Sequence, residues 1–369
     1  MTLGSLFDGI GGFPLAAVNV GITPVWASEI EAAPISITKK HFPDMRHLGD
    51  ITKINGAEIE PVDIITFGSP CQDLSITGKR AGLEGKRSGL FLQALRVIKE
   101  MRIATNGKKP ARIVWENVPG AFSSNKGRDF RKVIEEISKI AEADISIPRL
   151  AKKWKWLASG AVLGDCWSLA WRVLDAQYWG VPQRRRRIFL VCDFTSQRAG
   201  EILFKQESRT GNFEKGKDER NSIAGNADNG DQQYYIDTGH NSGRIQMNAK
   251  TAVTLLGEGG GGGANTGLYF LPNTVTVPFI CNGYGDYEQG DIGKSLLARD
   301  DITSGDLILN GYSVRRLTPT ECERLQGFPD GWTEFGHDGK RISDNQRYKA
   351  LGNSVALPCV EFVLSGIKE

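Results

Sequence analysis

The chain has 369 residues, 40% of them hydrophobic and 24% charged, with a net charge of +3. That length holds one large domain and a smaller one, and no apolar run approaches the ~20 residues of a membrane span. The start, MTLGSLFDGIGG, has no basic stretch followed by an apolar one, so a cytosolic protein is expected rather than a secreted one. The six cysteines, at 71, 166, 192, 281, 322 and 359, show no C-x-x-C pair and no close histidine, which argues against a zinc cluster or a disulfide framework.

Taken in chain order, the first 140 residues repeat strand, turn and helix. TLGSLF is apolar and ends at Gly9, Gly11 and Gly12; PVWAS ends at Glu29; DIITF runs into a Gly-Ser-Pro turn and Cys71; RIVWENV ends near Glu116. Phe91, Leu95 and Ile98 fall at helical spacing, as do Phe130, Val133, Ile134 and Ile137. Strands alternating with helices predict an α/β fold with a doubly wound, mainly parallel sheet. The four chemically notable groups would then share the carboxyl rim of that sheet, where ligands collect.

Composition changes after RRRRIFLVCDF. The predicted division is a catalytic domain over 1–191, a smaller loop- and strand-rich domain over 192–312, and a segment, 313–369, that returns to the first. Residues 192–312 hold 10 Lys and Arg against 16 Asp and Glu, so the +3 of the whole chain is −6 there and +9 elsewhere. Two basic clusters, GKRAGLEGKRSG after Cys71 and QRRRRI at 183–188, lie beside the rim residues, where contact with phosphate competes with the ordinary fate of a solvated charged face. In LTPTEC, Thr318 reads as a helix N-cap, Pro319 as the first helical residue and Glu321 as the partner in a capping box. YKALGNSV reads as a turn before a packed helix.

Each rim group admits two readings. The glycine turn is either structural or a place where backbone approaches a ligand, and Glu29 at the end of the next strand favours a nucleoside, because a carboxylate there accepts both ribose hydroxyls. Cys71 is a nucleophile, a metal ligand or filler; the histidines at 41, 47, 240 and 337 fall in no strand-end motif that would serve as its base. Glu116 offers a carboxyl at the same rim. A thiolate with a carboxylic acid suits conjugate addition to an electron-poor ring, the acid donating to a ring nitrogen.

LFDGIGG, GSPCQDLS, WENV, QRRRRI, RRLTPTECERLQGFPDGW and ALGNSV, in this order over about 3–191 and 313–369, resemble the cytosine-5 DNA methyltransferases of bacterial or phage type. The resemblance implies S-adenosylmethionine as cofactor, S-adenosylhomocysteine as product, and no metal. It implies that Cys71 adds to C6 of a flipped-out cytosine, that Glu116 holds N3 and the exocyclic amine, and that of Gln183, Arg185 and Arg187, which match the family pattern, the two arginines hold O2 and neighbouring groups. For the cofactor it implies Phe7 on the adenine, Gly9, Gly11 and Gly12 along the amino-acid tail, Glu29 on the ribose, Asp50 on the adenine amine, Ile51 against its ring, and Pro70, Asn353 and Ser354 completing the pocket.

Double-stranded DNA is the implied partner, with Gln72, Thr77, Lys79, Arg80, Lys86 and Arg87 as its contacts and 75–89 as a loop that closes on it. Residues 192–312 would select the target sequence. A monomer without a membrane partner, in the cytoplasm of a bacterial host and associated with restriction and modification, completes the expectation. Two readings stand beside it: a tRNA cytosine methyltransferase, and a silent DNA-binding homologue, which would lack Cys71 or Glu116. An NAD-dependent dehydrogenase would leave PCQ, ENV and QRRRR idle. Asp8 stands where the family is often small, Ser69 where it is often aromatic, and the tryptophans at 154, 156, 167 and 171 are expected to pack.

Overall fold

The computed structural model describes residues 1–69, 89–148, 155–204 and 317–369, and between 205 and 316 the backbone of seven strands. Strands β1 (Thr2–Leu6), β2 (Thr23–Ser28), β3 (Arg46–His47), β4 (Ile64–Phe67), β5 (Arg112–Asn117), β6 (Ser159–Leu163), β7 (Ser168–Asp175) and β8 (Arg186–Asp193) form one sheet, ordered β3-β2-β1-β4-β5-β8-β7-β6. The first five are parallel. The last three are antiparallel to their neighbours, so the expected parallel sheet describes one half of a mixed one. The cause lies in the connections: β6, β7 and β8 are joined by short turns without a crossover helix, and a short turn can only reverse the chain.

Helices α1 (Gly12–Asn19), α2 (Ala32–His41) and α3 (Gly89–Ala104) supply crossovers of the parallel half, and α4 (Arg128–Ala141) leads from β5 to the edge strand β6. Phe91, Leu95 and Ile98 of α3 and Phe130, Val133, Ile134 and Ile137 of α4 are all buried against one face, together with Ile65, Phe67, Trp115, Ile188 and Leu190. Leu3, Val114 and Val191, from alternating positions of the strands, face the other way into a second core. That core is closed by α1 and by the end of the chain. The tryptophans pack as expected where described: Trp156 and Trp171 lie edge-on to each other and to Phe130, with ring centroids 5.1 to 5.7 Å apart.

Regular structure crosses both predicted boundaries. The apolar run after the arginines is the central strand β8, and its last residue, Asp193, pairs with Arg112 at 2.8 Å and accepts from Thr195 and Ser196. The turn it holds leads into α5 (Ala199–Phe204), whose Ala199, Ile202 and Leu203 are buried in the second core. Residues up to Leu203 therefore pack into the core of the large sheet. At the other side, β9 (Tyr235–Asp237), β10 (Gln246–Ala249), β11 (Leu268–Pro272) and β15 (Tyr312–Arg316) make a four-stranded antiparallel sheet, so the strand-rich region extends to Arg316 rather than 312. Strands β12 (Val277–Cys281), β13 (Tyr287–Gln289) and β14 (Leu307–Leu309) form a second antiparallel sheet.

After Arg316 the chain returns through α6 (Pro319–Leu325), α7 (Asp344–Asn353) and α8 (Leu357–Lys368). Thr318 and Glu321 form the expected capping box on α6. ALGN, read as a turn, is instead the last part of α7, which Ser343 and Gln346 cap. Arg347 of α7 is buried beside the carboxylate of Glu323, 3.1 Å away, and also donates to Thr333. Glu323 in turn accepts from the backbone of Gly331 and Thr333. Removing one member of such a buried pair strands the other, so Arg347→Ala is expected to lower stability by about 3–5 kcal/mol in urea unfolding; a loss below about 1 kcal/mol, the range of exposed pairs, would show that the pair does not hold this segment.

Candidate active site

The chain leaves β1 through a turn in which Phe7, Gly9 and Gly11 all have left-handed backbone, φ 55, 59 and 80°. At Gly11 a side chain would also meet the Phe42 ring at 2.9 Å, and at Gly12 a β-carbon would lie 2.7 Å from Val355 and 3.2 Å from the Ser354 hydroxyl. Only glycine admits that approach of the chain's far segment. Trp332 of GFPDGW closes the same turn, donating its indole N–H to the Ile10 carbonyl at 2.8 Å while stacking on His41 at 3.6 Å. Trp332 carried no role in the sequence; its only signal was a tryptophan directly after a Pro-Asp-Gly turn.

Glu29, half-buried at the end of β2, is tied to the glycine turn. Its carboxylate accepts from the Gly9 N–H at 2.9 Å and from the N–H groups of Ile30 and Glu31 at 2.7 and 2.9 Å. Asp50, just past β3, caps the turn Ile51–Lys53 by accepting from the backbone and hydroxyl of Thr52 at 2.9 and 2.8 Å. Those bonds hold its carboxyl below the usual range, and Ile51 is buried beneath it. Phe7, Glu29 and Asp50 thus follow three adjacent strands along one rim.

Farther along that rim, β4 ends at Phe67 and leads into Gly68 and Ser69. Pro70, Cys71, Gln72, Thr77, Lys79, Arg80, Lys86 and Arg87, with most of the 75–89 loop, lie outside the described residues. The approach to them is anchored: Trp115 donates to the Ser69 hydroxyl at 3.2 Å and Asn117 to the Ser69 carbonyl at 2.9 Å. Both anchors flank Glu116, whose Oε2 lies 3.3 Å from where a Gly68 β-carbon would sit. A serine in place of an aromatic at 69 gives the Trp115 N–H its acceptor.

Glu116 is buried and meets Arg187 at 3.0 Å. Burial raises its pKa, and Arg187 and Arg185 pull it back in part. The four arginines of QRRRRI are not equivalent. Arg185 and Arg187 point inward while Arg184 and Arg186 are exposed, the period of two that a strand imposes. Arg185 is buried and donates to the carbonyls of Gly352, at 3.0 Å, and Ser354. The two inward arginines therefore divide their work: Arg187 faces Glu116, and Arg185 fixes the turn that brings Ser354 and Val355 against Gly12. Ser354 is buried and Asn353 exposed.

Asp8 is buried beside Ser5 and Glu29, and burial lifts its pKa to about 8. The native protein keeps a proton there that the unfolded chain releases near pH 4, so stability falls with rising pH between about 4 and 8, by up to about 1.4 kcal/mol per unit. Asp8→Asn is expected to flatten that decline in urea unfolding measured at pH 5, 6.5 and 8. An equally steep decline in the variant would mean that another group titrates.

The family model of the C-5 cytosine-specific DNA methylases matches residues 1–142 and 154–369. Over 454 aligned positions the chain is 28% identical to a protein of Escherichia phage P1 named DNA N-6-adenine-methyltransferase; the match covers 98% of this chain and 60% of the phage protein's length. It is 27% identical to the type II methyltransferase M.HhaI of Haemophilus parahaemolyticus, covering 98% of this chain and 92% of that one. The fold is also that of Schizosaccharomyces pombe Dnmt2, at TM-score 0.58 and 16% identity over 99% and 97% of the two chains. With that match over most of its length, the chain belongs to the C-5 cytosine-specific DNA methylase family.

Proposed function

We propose that the protein transfers a methyl group to C5 of a cytosine flipped out of double-stranded DNA, through a covalent bond between Cys71 and C6. The observation that carries this reading is the buried Glu116–Arg187 pair, set where β4 delivers the chain to Cys71. The Cys71 thiolate adds to C6 as Glu116, whose acid form burial favours, gives its proton to N3 and accepts from the exocyclic amine; Arg187 holds O2. The electron pair displaced from the C5–C6 bond makes C5 the nucleophile. After methylation the C5 proton passes to solvent, its electron pair re-forms the C5–C6 double bond and expels the thiolate, and N3 returns its proton to Glu116. A base stacked in a duplex cannot bring C6 and N3 to a concave rim together, which is why it must leave the stack.

The rim fits S-adenosylmethionine. Among the described residues a β-carbon on Gly9 meets nothing within 4 Å, so they leave space open over the turn, with Glu29 at the ribose, Asp50 and Ile51 at the adenine, and Phe7 stacking on it. When bound, the cofactor supplies an electrophilic methyl group. Ser354 and Asn353, brought by Arg185, close the tail of the pocket. The antiparallel sheets between 235 and 316 read the target sequence, and the protein works as a monomer in the cytoplasm of a bacterial host.

The phage relative's name raises N6 methylation of adenine, but transfer to an exocyclic amine has no use for the cysteine of PCQ or for an acid that protonates a ring nitrogen. The catalytic motifs also suit tRNA cytosine. Incubation with labelled cofactor and either duplex DNA or tRNA, followed by nucleoside mass spectrometry, separates these readings. We expect 5-methylcytosine in DNA; N6-methyladenine alone, or product in tRNA alone, would overturn the proposal. Bisulfite sequencing of the host DNA then reads out the target site.

A further inference from the structure

Four exposed cations surround the amino end of β8 and the entry to α4, and the base-flipping site uses none of them. Arg184 and Arg186 are the outward pair of QRRRRI. Because Asn117, the last residue of β5, pairs with Ile188, both lie beyond the end of β5, at the rim. Arg186 shares the strand face of Ile188 and Leu190, the face that α4 covers, and Arg184 precedes the strand at the same rim. Lys126 and Arg128 are exposed at the start of α4, whose preceding turn adjoins the one that follows β5.

The turn bearing Lys126 is strained. Asn125, Lys126 and Gly127 have φ of 48, 59 and 81°, two non-glycine residues in succession with left-handed backbone. Such a conformation persists only where the surroundings enforce it. Here Ser124 and Asn125 donate to Asp129, and Trp156 donates its indole N–H to the Gly127 carbonyl at 2.8 Å. This gives the tryptophan-rich segment a task besides packing. Cations at the start of a helix also oppose its dipole, so Lys126 and Arg128 are placed against local preference.

Among the described residues, carboxylates do not neutralise Lys126, Arg128 or Arg186. Asp129 is buried, Asp175 accepts from Gln177 and the Arg185 N–H, and Glu135 and Glu136 are held by Arg131, Lys132 and Lys139. Among the described residues, Lys126, Arg128 and Arg186 form no ion pair. The large domain and the returning segment carry the chain's positive balance, so a polyanion is the complementary partner.

We propose that Lys126, Arg128, Arg184 and Arg186 form a track for DNA backbone phosphates, on the face of β8 opposite Glu116 and Arg187. The inference rests on DNA being the substrate and adds where the duplex is gripped without regard to its sequence. Each phosphate neutralised releases condensed counterions, so the track has a signature in salt dependence that a structural role would not move.

The test is fluorescence anisotropy of a labelled duplex between 50 and 300 mM salt, with wild type, K126Q/R128Q, R184Q/R186Q and the quadruple variant. Calorimetric affinity for S-adenosylmethionine and melting temperature serve as controls for folding. For each phosphate that a variant leaves without its cation, the slope of log affinity against log salt is expected to become shallower by about 1, and affinity to fall by a similar factor on target and unrelated duplexes. Folded double variants that both keep the wild-type slope overturn the track while leaving the methyltransferase reading intact. A wild type that methylates no duplex DNA removes the reading beneath it.

Discussion

Glutamine at position 116 is expected to lower methyl transfer by roughly 10²- to 10⁴-fold, the usual range for loss of a general acid, with affinity for S-adenosylmethionine close to that of wild type. The substitution keeps the size of the side chain and its capacity to meet Arg187 and the cytosine amine, and removes only the proton for N3. Burial raises the Glu116 pKa, so the acid form persists above the ordinary carboxylate range. The wild-type rate should therefore fall as pH rises through that raised value, and the residual rate of Glu116→Gln should lack this limb. Single-turnover transfer from labelled cofactor across a pH series measures both. A glutamine variant within a few-fold of wild type would remove Glu116 from the proton transfer.

Cys71→Ser is expected to end turnover altogether while the cofactor still binds, since an alcohol is far less ionised than a thiol at neutral pH. Three of the four described cysteines make poor substitutes. Cys192, Cys322 and Cys359 are buried, and burial pushes each thiol up, away from the thiolate form. A duplex carrying 5-fluorocytosine at the target separates the step further. Fluorine cannot leave C5 as a proton does, so wild type should form an adduct that survives denaturing electrophoresis, and Cys71→Ser should form none. Near-normal methylation by the serine variant would sink the covalent mechanism.

The sequence was most legible where one residue type meets one physical demand. Helical spacing picked out Phe91, Leu95 and Ile98 in α3 and Phe130, Val133, Ile134 and Ile137 in α4, all of them buried. The capping box at Thr318 was readable because its two bonds need those side chains three residues apart. The antiparallel half of the sheet was less legible, since an apolar strand buried on both faces reads alike in either direction. QRRRRI hid its alternation, as four identical side chains carry no inward or outward mark. The hold of Arg185 on 352–354 and of Trp332 on Ile10 joins positions more than 160 residues apart, and no local pattern records such pairings. Cys71 and its loop, lying outside the described residues, rest on motif and on the anchoring of Ser69.

The seating of Val355 on Gly12 has a consequence for how the protein comes into being. A ribosome delivers residues at about 5–20 per second, amino-terminal domain first, so the glycine turn waits for its covering segment until the intervening strand-rich region has been made. Pairings of such high sequence separation also close slowly. Synthesis therefore acts as a timer: a nascent chain that already carries Cys71 and Glu116 has no finished cofactor pocket, and methylating capacity arrives in one late step.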